Sequence, residues 1–225
     1  MSVAAAFVIV CSMVVPPPHV SAHCPGTDAA GLRDYAYGSR TLSSDSNGVK
    51  AIIYYTLKSV CLPSDGFAGE TLAIYPTTPN HGWAQVGWHR TQAGVNEMFC
   101  ELQPTPDTTV AYLRTFSVSA ASHTYQTSYA SGVGWSCFLD GVVKYSHDGL
   151  GFTAGKGLAS FGETNTTHSQ LGRNSPDKLP YTTMRYRLAS NATWNTWSPN
   201  VLWVDGPYGV DTAVGTFYDF TYVPH

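Results

Sequence analysis

The sequence predicts an all-β domain, an antiparallel β-sandwich held by disulfides, and three observations predict it. After Ala22 no stretch keeps apolar residues three and four apart for ten positions, as a helix face requires. Short alternating runs bounded by Gly, Pro, Asn, Asp and Ser recur instead, each suited to a strand with one buried face. An even set of four cysteines follows a leader that reads as an export signal.

The leader comes first. Residues Met1 to Ala22 carry no charged side chain, an apolar run of about 13 residues from Val3 to Val15 stops at Pro16-Pro17-Pro18, and Val20-Ser21-Ala22 is a small-x-small cleavage pattern. That run falls short of the roughly 20 residues that cross a bilayer. The expectation is a signal peptide over 1–22, a mature chain from His23 forming a single domain over 23–225, an extracellular location and no membrane attachment after cleavage. Cys11 departs with the leader, and Cys24, Cys61, Cys100 and Cys137 remain for two disulfides. Three pairings are open; joining neighbours in sequence favours Cys24–Cys61 with Cys100–Cys137. Zinc is disfavoured because no two of the four lie two to four residues apart.

The expected strands follow in order: Val49–Thr56, Thr71–Tyr75, Trp83–His89, Glu97–Gln103, Val110–Phe116, Thr124–Tyr129, Val133–Leu139, Val142–Tyr145, Leu158–Thr164, Thr183–Leu188, Val201–Val204 and Thr216–Tyr222. Asp140-Gly141 is the clearest hairpin signal, since a type I′ turn needs positive φ at both central positions. Asn165–Pro180 is polar and rich in turn formers, so it reads as a long loop able to cover a cleft. Thr183 to His225 reads as closing strands with Trp194, Trp197 and Trp203 in or near the core. About 200 mature residues suit one such domain, and a monomer is expected.

Charge narrows the partners. Twelve Lys plus Arg stand against fifteen Asp plus Glu with no basic run, which removes the electrostatic basis for binding nucleic acid or an acidic membrane surface. Charged residues make up 12% and aromatic residues 13%, a balance common in secreted β proteins that touch sugars or extended peptides.

Strand alternation then selects side chains. Trp83, Gln85, Gly87 and His89 share one face of their strand, with Ala84, Val86 and Trp88 on the other. A mid-strand glycine such as Gly87 marks a close approach by a ligand or another backbone, or a bulge. On Leu158–Thr164, Ala159, Phe161 and Glu163 share a face, which sets a carboxylate beside an aromatic in an otherwise uncharged strand. Burial there raises a carboxyl pKa, as a general acid or base requires.

Ala84-Gln85-Val86-Gly87 and Phe161-Gly162-Glu163 together resemble the two active-site strands of the glutamic peptidases. Fungal members have a Gln before an x-Gly pair and a Glu on a later strand. Gln85-Val86-Gly87-Trp88 is also similar to the Glu-Ala-Gly-Trp-like run of the plant neprosin relatives, with Gln in place of the acid. The strand Gly48–Tyr55 and the hairpin Trp135–Tyr145 add to the resemblance, which covers roughly Gly48 to Asn165. It implies a concanavalin-like jelly roll, an extended peptide substrate and a catalytic pair of Gln85 and Glu163, with Trp83 and His89 as substrate-binding walls. It implies acid-side activity, or a relative that kept the fold without the chemistry.

Other constellations are weaker. A glycosidase needs two facing carboxylates, and no acid lies two or four residues from Glu163. There is no Gly-x-Ser-x-Gly elbow, and no His-x-His or His-Glu-x-x-His pair. Nothing calls for a cofactor or a metal. The alternative is a concanavalin-like sugar-binding module, with Trp83, Trp88, Trp135, Trp194 and Trp197 as stacking platforms and Glu163 or Asn165 bonding a glycan.

Overall fold

A computed structural model describes residues 34–55, 67–78, 82–91, 93–105, 112–164, 173–174, 179–205 and 208–221. Its strands are β1 Asp34–Ile53, β2 Phe67–Tyr75, β3 Trp83–Thr91, β4 Asn96–Gln103, β5 Tyr112–Ser117, β6 His123–Ala130, β7 Gly134–Leu139 and β8 Val142–His147. There follow β9 Gly155–Thr164, β10 Arg173–Asn174, β11 Leu179–Leu188, β12 Trp194–Thr196, β13 Val201–Val204, β14 Tyr208–Ala213 and β15 Thr216–Thr221. Among the described residues there is no helix, and so none that could cross a membrane.

The chain is a β-sandwich whose two layers share one strand. One layer runs β13-β1-β9-β2-β3-β4-β5, antiparallel throughout. The other runs β8-β7-β6-β1-β11-β15-β14. The first half of β1 lies between β9 and β13 and its second half between β6 and β11, with a register break between Thr41 and Ser46. Such a break lets a strand bend out of one sheet and into the next.

Inward side chains of both layers make one core. Leu72, Ile74, Val86, Trp88, Met98 and Leu102 from the first layer cluster with Val49, Ile53, Tyr125, Trp135, Tyr181 and Phe217 from the second. A disulfide between Cys100 on β4 and Cys137 on β7, Cα atoms 5.9 Å apart, ties the layers together. The expected Cys24–Cys61 bond lies outside the described residues. Trp88, Trp135 and Trp197 are each 1% exposed, which corrects their reading as stacking platforms: they fill the core because the apolar interior has room for their large rings.

The Asp140-Gly141 turn carries φ of 50° and 80°, the type I′ geometry expected. Two expectations are corrected. Trp203 is 52% exposed rather than in the core. Of the long loop, Arg173–Asn174 and Leu179–Pro180 are strand, the latter because β11 extends to pair with β15; most of the remainder is outside the described residues. The first half of β1, β10, β12 and β14 were not among the expected strands. Gly38 shows why for β1: a Cβ there would sit 2.8 Å from the Phe217 ring and Pro199, so packing demands a residue with low strand propensity.

Candidate active site

The outward face of the first layer carries a cavity of about 520 Å³. Alternation brings its walls together: Tyr35 and Tyr37 from β1, Ala159, Phe161 and Glu163 from β9, Ala73 and Tyr75 from β2, Trp83 and Gln85 from β3, Glu101 from β4, and Trp203 from β13. Both residues of the expected pair are therefore in one cavity. Gln85 and Glu163 each retain 8% exposure, a strong desolvation for a carboxylate.

Register describes how they face each other. Glu163 stands opposite Gly69 of β2, and Gln85 opposite Ala73. In a flat ladder, two strand spacings of about 4.8 Å and four rises of about 3.3 Å put the two Cα atoms about 16 Å apart. Both side chains stand on the outward face, roughly perpendicular to the sheet, and open into the same cavity from strands two apart.

Glu163 receives the Tyr35 hydroxyl at 3.3 Å. Tyr35 packs edge-on against Phe161, whose other neighbour is Tyr37, and tilts against Trp203. The Tyr37 and Tyr75 hydroxyls meet at 3.4 Å, and burial followed by that contact raises the Tyr75 pKa. At the other end the Glu101 carboxylate accepts the Trp83 indole N–H at 3.0 Å on Oε1 and the Gln85 amide at 2.9 Å on Oε2.

His89 shares the face of Gln85 and is in the cross-strand row of Glu163, with Gly69 between them. It does not line the cavity. Its ring stacks on Phe99 and meets Glu97 at 3.1 Å; burial lowers its pKa and Glu97 opposes that shift. Gly87 has a backbone reason: a Cβ there would strike the Glu70 carbonyl of β2. Gly162, behind Glu163, has a side-chain reason, since a Cβ would strike the Asp219 carboxylate.

Sequence reasoning passed over Tyr35, Tyr37, Tyr75, Glu101 and Trp203. Three of these had a signal. Tyr35-x-Tyr37 alternates, and Glu101 shares a face with Glu97 while Met98, Cys100 and Leu102 face inward. Among the described residues no three His, Cys, Asp or Glu side chains gather as a metal site.

No protein-family profile and no curated protein matches the chain. Solved structures do. Scytalido-glutamic peptidase with a peptide-based transition-state analogue superposes with a TM-score of 0.57 at 13% identity, covering 84% of this chain and 98% of that one. SCP-B, a member of the eqolisin family of peptidases in complex with the tripeptide Ala-Ile-His, superposes with a TM-score of 0.55 at 13% identity over the same shares. The fold is that of the glutamic peptidases.

Proposed function

We propose that the chain is a secreted endopeptidase of the glutamic type, with Glu163 and Gln85 as its catalytic residues. The observation that carries this reading is that both line one aromatic-walled cavity of a glutamic-peptidase-like fold. In the same reading the leader over 1–22 is removed and the domain acts outside the cytoplasm, as a monomer, on extended peptides.

The chemistry needs the two side chains and a water. Glu163, ionised, takes a proton from water as its oxygen attacks the scissile carbonyl carbon. The carbonyl π electrons move onto oxygen, and an N–H of Gln85 receives that oxyanion. Collapse breaks the C–N bond while the Glu163 carboxyl passes its proton to the departing nitrogen. Glu163 returns as carboxylate, and the products are an acid and an amine. Trp83, at the Glu101 end, is the wall that positions the chain.

The test is hydrolysis of a denatured protein across pH 2 to 8 by the mature chain, beside folded Glu163→Gln and Gln85→Ala variants. Acid-side cleavage abolished by the first and reduced about 10²–10³-fold by the second supports the pair. Absence of cleavage by the wild type at every pH overturns it.

A glycan is the second reading, favoured by Trp83 and Trp203 both standing in the cavity. Saturable quenching of tryptophan fluorescence by an oligosaccharide, in a chain without proteolytic activity, would establish that reading instead.

A further inference from the structure

Gln85 does not stand alone: its amide nitrogen is held by Glu101, whose other oxygen is held by Trp83. We infer that Glu101 is a positioning residue whose ionisation sets which end of the Gln85 amide faces it, so that protonating Glu101 reverses the amide.

The argument is one of donors and acceptors. An indole N–H only donates, so Trp83 claims an acceptor oxygen of Glu101 in either protonation state. An ionised carboxylate only accepts, which turns the NH₂ end of Gln85 toward its second oxygen. One amide N–H is then tied, and the other has no partner among the described residues and is free to donate. When Glu101 is neutral, its O–H cannot face the indole, because two donors would meet. The proton must sit on the oxygen facing Gln85, and that O–H needs Oε1 of the amide as its acceptor. The amide turns over and its donors move to the opposite branch.

Among the described residues no Lys, Arg or His lines the cavity to compete for Glu101. The titratable groups facing it there are Glu163 of β9, Tyr35 and Tyr37 of β1 and Tyr75 of β2, while β5 presents Leu113 opposite it. The amide reversal stands on the hydrogen bonds alone. Its catalytic consequence rests on the peptidase reading: a reversed amide offers oxygen where an oxyanion needs a donor.

The first measurement is independent of activity. In a Glu163→Gln background, which leaves Glu101 as the carboxylate of the cavity, the Gln85 side-chain NH₂ resonances of the ¹⁵N-labelled mature chain are followed from pH 7 to pH 3. Their assignment comes from their loss in Gln85→Leu. We expect one carboxyl titration that vanishes when Glu101→Gln is added and persists with Glu101→Asp, which keeps an ionisable group should the Gln variant not fold. Resonances that titrate identically without a carboxyl at 101, or do not titrate at all, overturn the inference.

The second measurement is kinetic. Glu101→Gln gives its single acceptor oxygen to Trp83 and presents NH₂ to Gln85, reversing the amide at every pH. We expect kcat to fall about 10- to 100-fold with KM within about 2-fold, and the acid limb of the profile to keep the ionisation of Glu163 alone. A full-rate Glu101→Gln variant with the wild-type profile overturns the positioning role. An inactive wild type whose amide still titrates through Glu101 would overturn the peptidase reading and leave the switch in place.

Discussion

The hydroxyl of Tyr181 shows how much can rest on one atom. It accepts the Thr71 N–H at 3.1 Å, donates to the Phe161 carbonyl at 2.9 Å and lies 2.6 Å from Glu70 Oε2, all on the reverse side of the strand that bears Glu163. Burial first, then the charge of Asp219, raises its pKa well above the ordinary value, so it stays a hydroxyl. Tyr181→Phe deprives a buried N–H and a buried carboxyl of a partner, an expected loss of about 1–3 kcal/mol in a denaturant titration; an unchanged midpoint would show that other groups take over. Gly162→Ala should cost more, because the Asp219 carboxylate it strikes is fully buried and has little room to move, and the check is the yield of folded chain. At this scale the sequence was half legible. Alternation put Gln85 and Glu163 on the correct faces. Glu70 and Asp219 gave no warning, because which acids end up between the layers depends on which sheets meet.

Elements with local causes were read well. The Asp140-Gly141 hairpin appears where expected because positive φ at two positions leaves few alternatives. The turn is further clipped: Ser119 Oγ meets His123 Nε2 at 2.8 Å, and His123 Nδ1 meets Asp140 Oδ2 at 2.6 Å. Burial works to raise the Asp140 pKa, but the Thr124 N–H, the bond and charge of His123 and the charge of Lys144 outweigh it and hold the value below the usual range. A depressed folded-state value means the unfolded chain binds the proton more tightly, so the stabilisation is complete above about pH 3.9 and is lost as pH falls through the folded value. Asp140→Asn should therefore melt below the wild type at pH 7, by under about 1 kcal/mol for so exposed a pair, and with it at pH 2. Asn tolerates the positive φ, so the comparison isolates charge. A gap that persists unchanged at pH 2 would refute the account. Elements with distant causes were missed. The first half of β1 interrupts its alternation with Gly38, Ser39 and Arg40, and it is strand because β9 and β13 flank it, a fact no local window contains.

For the whole molecule, the sandwich depends on ties between its layers. Cys100 and Cys137 are 37 residues apart, and closing a loop of that size stabilises a fold by about 2–4 kcal/mol. Replacing both with Ser should lower the melting temperature by about 5–15 °C for a chain of this length, read by scanning calorimetry without reductant; a fall under about 2 °C would mean that the core alone holds the layers. The other tie is β1, and it bears on when the chain can fold at all. Its ladder partners lie 70 residues downstream for Ile53 with His123 and 168 for Ala36 with Val204. Contacts so distant in sequence place the chain among slow folders, on the scale of milliseconds to seconds. A ribosome must pass Val204 before β1 has a neighbour on each edge, so the hairpins β2–β5 and β6–β8 can pair during synthesis but the two layers close only when nearly the whole chain has been made.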